Sequence, residues 1–205
     1  MEKDYNQDIK DYTQAIQLDP NNAGAYNDRG FSYFMINDYD RAIEDYSQAI
    51  KLAPNDAFWY KNRGDAYDMK KDYDRAIDDY TQAIRLAPND AETYKNRGDA
   101  YCMKDDYDHA IADYNEAIRL NLNDAEAYNE RGFAFYMKDD YDQAIADHTK
   151  SLQLNPNDAR AYNNRGVAYE ENGDNEKAIA DYFQAIQLDP NNTEYKQNLE
   201  DAQRR

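Results

Sequence analysis

Residues 57–90 read AFWYKNRGDAYDMKKDYDRAIDDYTQAIRLAPND, and the same pattern recurs along the whole chain. The segment Tyr-x-x-Arg-Gly begins at residues 26, 60, 94, 128 and 162, so that every interval is 34 residues. A fixed period of this length is typical of proteins in which short helical units stack side by side. We place full repeats at 23–56, 57–90, 91–124, 125–158 and 159–192.

Each repeat carries two stripes of small and aromatic residues at helical spacing. In the second repeat, Tyr60 and Gly64 share one stripe at i and i+4, and residues 76–84 contain the other. Asp72 stands between the stripes, where an aspartate caps the start of a helix. Residues 88–90, Pro-Asn-Asp, follow the second stripe, where the proline ends one helix and the aspartate caps the next. We therefore predict an all-α fold of antiparallel helix pairs, helix A followed by helix B. Neither helix can bury its stripe alone, so neighbouring pairs have to stack.

The two ends of the chain each match half a repeat. Residues 1–22 match helix B as an N-terminal half repeat, and residues 193–205 match helix A as a C-terminal capping helix. We therefore predict about 12 helices in one solenoid domain that spans residues 1–205. Asp8 and Glu200 stand where full repeats carry alanine and glycine, so an end-to-end joint would bring two carboxylates together. A monomer is therefore expected.

The composition is strongly acidic. With 42 acidic and 24 basic residues, the formal net charge is −18, which disfavours nucleic acid and membrane surfaces and favours a basic protein or peptide partner. The sequence contains no apolar run of the roughly 18 residues that span a bilayer, and no secretory signal is visible at its start. A cytoplasmic location is expected, although a longer chain could carry such a segment elsewhere. The 21 tyrosines, placed at repeated positions, supply buried area that favours order over disorder.

Two charged columns run through the repeats. An arginine precedes each repeated glycine, at Arg29, Arg63, Arg97, Arg131 and Arg165. An aspartate recurs at one position of helix B, at Asp11, Asp45, Asp79, Asp113, Asp147 and Asp181. We predict that these arginines and aspartates pair through two parallel hydrogen bonds between helices A and B, a geometry that suits the guanidinium group. The alternative is that both columns face solvent.

These motifs resemble the tetratricopeptide repeat (TPR) family. The matching residues recur in the same order down the chain and are, in the first repeat, Tyr26, Gly30, Tyr33, Ala42, Tyr46, Ala49 and Pro54. The resemblance implies a right-handed superhelical solenoid whose A helices line the concave side. It also implies a scaffold or adaptor that binds a protein or peptide, and not an enzyme. His148 departs from the pattern, because it replaces an aromatic residue of helix B.

The resemblance places the ligand-binding surface on helix A, on the face away from its packing stripe. The residues expected to contact a peptide are Asn27, Phe31, Phe34, Met35, Phe58, Lys61, Asp65, Asp68, Lys95, Asp99, Asn129, Phe133, Tyr136, Met137 and Asn163. Aromatic residues and methionines of the first and fourth repeats flank an acidic middle with two lysines. Such a surface suits a ligand that has apolar anchors around basic residues. Alternatively, some of these side chains, the methionines above all, pack against the neighbouring helix A.

The best-known groove of the family clamps the acidic C-terminal tails of heat-shock chaperones with lysine, asparagine and arginine side chains. Lys61, Lys95 and Arg160 are fragments of that set. Asp65 and Asp99, however, occupy the place of an asparagine of the clamp, and their carboxylates would repel an acidic tail. The sequence therefore does not predict this clamp.

No motif for catalysis, for a metal or for a cofactor is visible in the sequence. His109 and His148 are 39 residues apart and Cys102 is the single cysteine, so that no zinc-ligand spacing exists. The acidic clusters that precede the B helices lack the glycine and the glutamate of a calcium loop. We therefore expect no catalytic, metal-binding or cofactor-binding residue. Two other functions stay open: a purely structural or self-assembling solenoid, and the regulatory region of a larger protein.

Overall fold

The computed structural model describes residues 4–204, and it contains twelve α-helices and no strand in that range. The chain divides into two compact units, Met1–Lys104 and Asp105–Arg205. The first unit contains α1 (Tyr5–Leu18), α2 (Ala23–Met35), α3 (Tyr39–Leu52), α4 (Ala57–Met69), α5 (Tyr73–Leu86) and α6 (Ala91–Cys102). The second contains α7 (Tyr107–Leu120), α8 (Ala125–Tyr136), α9 (Tyr141–Leu154), α10 (Ala159–Glu171), α11 (Asn175–Leu188) and α12 (Thr193–Arg204). The all-α prediction and the number of helices are confirmed, whereas the right-handed superhelix stays a prediction.

B helices and A helices alternate in both units. The odd-numbered helices are of type B and the even-numbered helices are of type A. Within each unit every helix packs against the next one along the chain, and successive A helices also touch each other. The predicted mutual burial of the helix pairs is thus confirmed. None of the helices described between residues 4 and 204 combines the length and the apolar character that a membrane crossing needs.

Aspartates begin helices of both types, as predicted. The side chain of Asp72 accepts a hydrogen bond from the backbone N–H of Arg75 at the start of α5, and Asp90 accepts one from Glu92 at the start of α6. Most A helices are followed by a residue with positive φ, and these residues are Asn37, Lys71, Asp105, Asp139 and Gly173. After α4, the N–H of Asp72 donates to the carbonyl of Tyr67 at 2.9 Å, which closes the turn into helix B.

The close approach of helix A to helix B depends on a glycine that faces a tyrosine ring. Tyr80 of α5 is only 1% exposed, and its ring lies against Gly64 of α4. A Cβ atom at Gly64 would stand 2.7 Å from Cε1 of Tyr80, which is closer than van der Waals contact allows. Glycine in the middle of a helix weakens the helix. Here it lets the neighbouring helix bury a large aromatic side chain.

The arginine and aspartate columns meet between helices A and B. Arg63 donates from Nε to Oδ2 of Asp79 at 2.7 Å and from Nη2 to Oδ1 at 2.8 Å. The same two hydrogen bonds join three further pairs, Arg29–Asp45, Arg131–Asp147 and Arg165–Asp181. In all four pairs the aspartate is buried, with 5% of its surface exposed. The predicted pairing is therefore confirmed for these four pairs, each of which lies within one unit.

A third hydrogen bond from the same guanidinium group reaches the preceding B helix. Nη1 of Arg63 donates to Oγ of Ser47 in α3 at 3.0 Å, and Nη1 of Arg29 donates to Oγ1 of Thr13 in α1 at 3.1 Å. Each of these arginines therefore connects its own A helix to the B helices on both sides. Because the guanidinium group is planar and rigid, it holds the three helices at fixed relative positions.

Candidate functional site

Three of the residues predicted to contact a ligand are buried between A helices. Asn27 is 7% exposed, Asn129 is 0% exposed and Asn163 is 4% exposed. Oδ1 of Asn27 accepts from Nδ2 of Asn62, and Oδ1 of Asn163 accepts from Nδ2 of Asn198, both at 2.9 Å. A buried amide has to find a hydrogen-bond partner, and these amides find one on the neighbouring A helix. Asn163 also lines a cavity described below, so the contact of these side chains with a ligand stays a prediction.

The predicted apolar residues are largely at the surface. The exposed ones are Phe31, Met35, Phe58, Phe133 and Met137. Phe34, Tyr136 and Lys95 are half-buried. The Phe34 ring meets the Tyr39 ring edge-on with 5.4 Å between centroids, and the rings of Tyr136 and Tyr141 are 5.7 Å apart. Since Met35 and Met137 are both 42% exposed, the alternative that the methionines are packed away does not hold for them.

Three carboxylates border a cavity of about 260 Å³ in the first unit. Asp65 and Asp68 come from α4 and Asp99 comes from α6, while Phe34 and Met69 contribute apolar side chains. Burial raises the pKa of Asp65, and burial together with the charge of Asp65 raises the pKa of Asp68. The first unit thus concentrates negative charge at a place where water solvates it poorly. We call this group of five residues the acidic cavity.

Asp65 is held in place by neighbouring side chains. Its Oδ1 accepts from the Tyr80 hydroxyl at 2.8 Å and from Nδ2 of Asn96 at 3.0 Å. Nζ of Lys61 lies 3.7 Å from Oδ2 of Asp65 and 3.0 Å from Oε1 of Glu92. Although burial of Lys61 lowers its pKa, these carboxylates outweigh that effect, so that the pKa is raised. Lys61 therefore balances part of the negative charge of the acidic residues around it, and its contact with a ligand stays a prediction.

A second cavity, of about 160 Å³, lies in the second unit. The residues that line it are Phe133, Tyr136, His148, Asn163, Asn164, Val167 and Glu194. Its side chains come from three A helices, α8, α10 and α12, and from the B helix α9. Phe133, Tyr136 and Val167 form the apolar part of its wall, and the imidazole of His148, two asparagines and the carboxylate of Glu194 form the polar part. We call this space the aromatic cavity.

His148 contributes to the aromatic cavity and is absent from the predicted site. Its side chain is 0% exposed, and Nδ1 lies 2.9 Å from Oδ1 of Asn129. Burial lowers the pKa of His148 to about 3, so the imidazole is neutral near pH 7. Because an amide oxygen can only accept a hydrogen bond, Nδ1 carries the proton. The signal that could have identified this residue is its departure from the tyrosine of the other repeats.

The repeats match known sequence profiles. The profile described as tetratricopeptide repeat matches residues 23–56, 57–90 and 159–192, and a second profile of the same name matches residues 79–112. A profile described as TPR repeat matches residues 2–37, 98–139 and 134–173, which is more than half of the chain. The chain belongs to the tetratricopeptide repeat family. It matches none of the curated protein sequences.

Solved structures of TPR proteins share this fold. YrrB, described as a TPR protein with an unusual peptide-binding site, is 24% identical and superimposes with a TM-score of 0.80 over 95% of this chain and 98% of its own. MamA is 28% identical, with a TM-score of 0.75 over 78% of this chain and 94% of its own. The C-terminal part of a TPR repeat-containing protein from Cytophaga hutchinsonii is 23% identical, with a TM-score of 0.80 over 97% of this chain and 80% of its own. These similarities support the TPR fold.

Proposed function

We propose that this TPR protein is a scaffold that binds a protein or peptide through its A helices, and that the ligand carries a basic residue beside apolar ones. The observation that carries the proposal is the acidic cavity, where Asp65, Asp68 and Asp99 lie beside Phe34 and Met69. A lysine or arginine side chain suits this combination, because its stem is apolar and its end is charged.

The ionisation of the acidic cavity favours a bound cation. The raised pKa values of Asp65 and Asp68 mean that their negative charges are destabilised in the unliganded protein. An ammonium or guanidinium group at hydrogen-bonding distance would stabilise both charges. The net charge of −18 adds a long-range attraction for a basic ligand, and salt would screen it.

The relatives support a peptide or protein as the ligand class. YrrB has the same fold and is described as having a peptide-binding site, so this fold is able to present one. Exposed aromatic residues and methionines on the A helices add apolar contacts that adapt to different partners. A chaperone-type acidic tail is a poor candidate, because it would place carboxylates against the acidic cavity.

A peptide-binding experiment tests the proposal. A library of short peptides with lysine or arginine next to aromatic or aliphatic residues is screened against the protein, and the best peptide is titrated against the double variant Asp65→Asn, Asp68→Asn. We expect its affinity to fall about tenfold or more, the equivalent of 1.4 kcal/mol or more. We also expect weaker binding by the unchanged protein at high salt.

The matched control removes two charges elsewhere on the same unit. Glu44 and Asp78 are exposed residues of the B helices α3 and α5. Replacing both by their amides changes the net charge by the same amount, so it reports the long-range effect alone. Equal losses of affinity in the two double variants would refute the acidic cavity as the binding site. A library without any basic binder would refute the proposed ligand.

The two other functions make different predictions. A self-assembling solenoid would show a mass that grows with concentration, whereas we propose a monomer of 24.0 kDa in sedimentation equilibrium. A purely structural solenoid would bind no peptide in the library. If the chain is the regulatory region of a larger protein, the same surface would bind its ligand there, and the effects of the variants would carry over.

A further inference from the structure

One position of helix B holds a buried tyrosine in most repeats, and in α9 it holds His148. Two of the tyrosine hydroxyls reach across to the preceding A helix. The Tyr80 hydroxyl donates to Oδ1 of Asp65 on α4, and the Tyr182 hydroxyl donates to Oε2 of Glu170 on α10, both at 2.8 Å. A phenol at this position therefore extends from helix B to residues on the ligand-binding side of helix A.

The imidazole of His148 occupies the same position as the tyrosine ring of the other repeats, but it is shorter than a phenol. A Cβ atom at Gly132 would stand 2.8 Å from Cε1 of His148, just as one at Gly166 would stand 2.8 Å from Cε1 of Tyr182. Both rings thus lie against the glycine of helix A. The imidazole lacks the outer atoms of a phenol, and the aromatic cavity, about 160 Å³ in volume, borders it.

Two buried polar atoms at this place have no hydrogen-bond partner among the residues that the structure describes. They are Nε2 of His148 and Nδ2 of Asn129, and both residues are 0% exposed. Since Nδ1 of His148 donates to Asn129, Nε2 presents a lone pair and accepts a hydrogen bond. Buried polar atoms are normally satisfied, and an exception in a cavity calls for an explanation. A ligand that donates a hydrogen bond would supply it.

The size and the walls of the aromatic cavity suit one aromatic ring. An apolar cavity of about 150 Å³ accommodates benzene, which is close to the volume found here. We propose that the aromatic cavity binds a phenol, whose ring lies among Phe133, Tyr136 and Val167 and whose hydroxyl donates to Nε2 of His148. The ligand then supplies a hydroxyl near the place where tyrosine supplies one in α5 and α11. Aromatic rings pack well against such walls, and their hydroxyl finds a partner at the bottom.

The phenol has two possible sources. It is the side chain of a tyrosine in a bound peptide, or it is a free small phenol. The first source rests on the proposed function, while the second does not. Glu194, which also lines the cavity, would attract a basic residue next to a peptide tyrosine. The two sources are separated in the experiment.

The test compares p-cresol with toluene, which has the same ring and no hydroxyl. Each is titrated into the ¹⁵N-labelled protein while the imidazole nitrogens of His148 are followed by NMR. We expect p-cresol to bind about tenfold or more tightly than toluene and to shift the Nε2 resonance, as a new hydrogen bond to that atom should. Equal affinities of p-cresol and toluene for the unmodified protein would overturn the proposal. An unchanged Nε2 resonance at saturating p-cresol would do so as well.

Two variants test whether p-cresol binds in the aromatic cavity. His148→Tyr restores the side chain of the other repeats, removes the Nε2 acceptor and narrows the cavity, so we expect it to abolish p-cresol binding. Phe183→Tyr alters an exposed ring on α11 that is outside the lining, and it should leave binding unchanged. Undiminished p-cresol binding by a folded His148→Tyr protein would contradict the assigned site.

Paired peptides identify the source. The library's best peptide is prepared with tyrosine and with phenylalanine at its aromatic position, and both are titrated against the protein and against His148→Tyr. A preference for tyrosine that His148→Tyr removes supports the peptide source. No preference, combined with tight p-cresol binding, supports a free phenol. The Asp65 and Asp68 variants report separately on the proposed function, so that failure of one idea is distinguishable from failure of the other.

Discussion

The guanidinium group of Arg63 and the carboxylate of Asp79 form two parallel hydrogen bonds of 2.7 and 2.8 Å, and the two partners differ in burial. Asp79 keeps 6% of its side chain exposed and Arg63 keeps 21%. Burial raises the pKa of Asp79 even though Arg63 acts to lower it. The aspartate thus depends on the arginine more than the arginine depends on the aspartate.

Replacing Arg63 by leucine should destabilise the protein strongly near pH 7, because Asp79 would stay buried without its partner. We expect a loss of roughly 3–5 kcal/mol, the usual effect of breaking a buried ion pair. The double replacement of Arg63 and Asp79 by leucine should lose less than the sum of the single replacements, since it leaves no uncompensated charge. Urea unfolding of the four proteins in the cycle measures this difference. Strict additivity would show that the pair contributes no coupling.

Asp65→Asn should make the protein more stable at pH 7. The folded pKa of Asp65 is raised, so the stability that protonation provides at low pH is lost as the pH rises through that pKa. Asparagine removes the buried charge and keeps an oxygen that accepts from Tyr80 and Asn96. We expect the melting temperature to rise by roughly 2–4 °C at pH 7, the shift for about 1 kcal/mol, and by less at pH 4. Asp78→Asn, at an exposed position on α5, provides the control, and a lower melting temperature for Asp65→Asn would show that the charge itself holds the network.

Gly64→Ala should destabilise the protein, whereas Gly24→Ala should not. The new Cβ atom at residue 64 would stand 2.7 Å from the buried Tyr80 ring, and the one at residue 24 would stand 3.4 Å from Oδ1 of Asn22. Alanine favours a helix by about 1 kcal/mol over glycine, so the second variant should be equal or better. Overpacking usually costs about 1–3 kcal/mol, which outweighs that gain at residue 64. Thermal unfolding compares the Gly64→Ala and Gly24→Ala proteins, and equal stability of the two would mean that the Tyr80 ring moves aside freely.

The helices and the ion pairs could be predicted because they depend on period alone. Arg63 and Asp79 lie on successive helices of one repeat, and the period of 34 residues reproduces this arrangement in the other repeats. The predicted caps at Asp72 and Asp90 were likewise local properties of the chain. Asn37 and Lys71 have positive φ although neither is glycine, so their residue types did not predict this conformation.

Spacing alone could not predict which side chains of helix A are buried and which are exposed. Asn27 and Phe31 are one helical turn apart and were predicted to share a surface, yet Asn27 is 7% exposed and Phe31 is 41% exposed. Asn27 is held by a hydrogen bond from Asn62 on the next A helix, a contact that depends on how the helices pack. The aromatic cavity could not be predicted from the sequence either, because the volume around His148 depends on how α8, α9 and α10 pack.

His148→Tyr should stabilise the protein, and the gain should grow as the pH falls. Tyrosine would fill part of the aromatic cavity, for which we expect about 1–3 kcal/mol at pH 7. The pKa of His148 is about 3 in the folded protein and 6.5 in the unfolded chain, so unfolding takes up a proton between these values. The stability that the neutral imidazole provides is therefore complete above pH 6.5 and is lost as the pH falls toward 3, by about 1.4 kcal/mol per pH unit. Tyrosine has no such loss.

The difference in unfolding free energy between His148→Tyr and the unmodified protein, measured with urea at several pH values from 7 to 4, checks this expectation. Using the difference removes the contributions of the carboxylates, which both proteins share. His109→Gln is the matched control, because it removes the other histidine, which is exposed on α7 and contacts Asp106 at the surface. A gain that stays constant from pH 7 to pH 4 would mean that the folded protein protonates His148 as readily as the unfolded chain does. The imidazole would then have access to water, and Nε2 would not be a buried neutral acceptor that waits for a ligand.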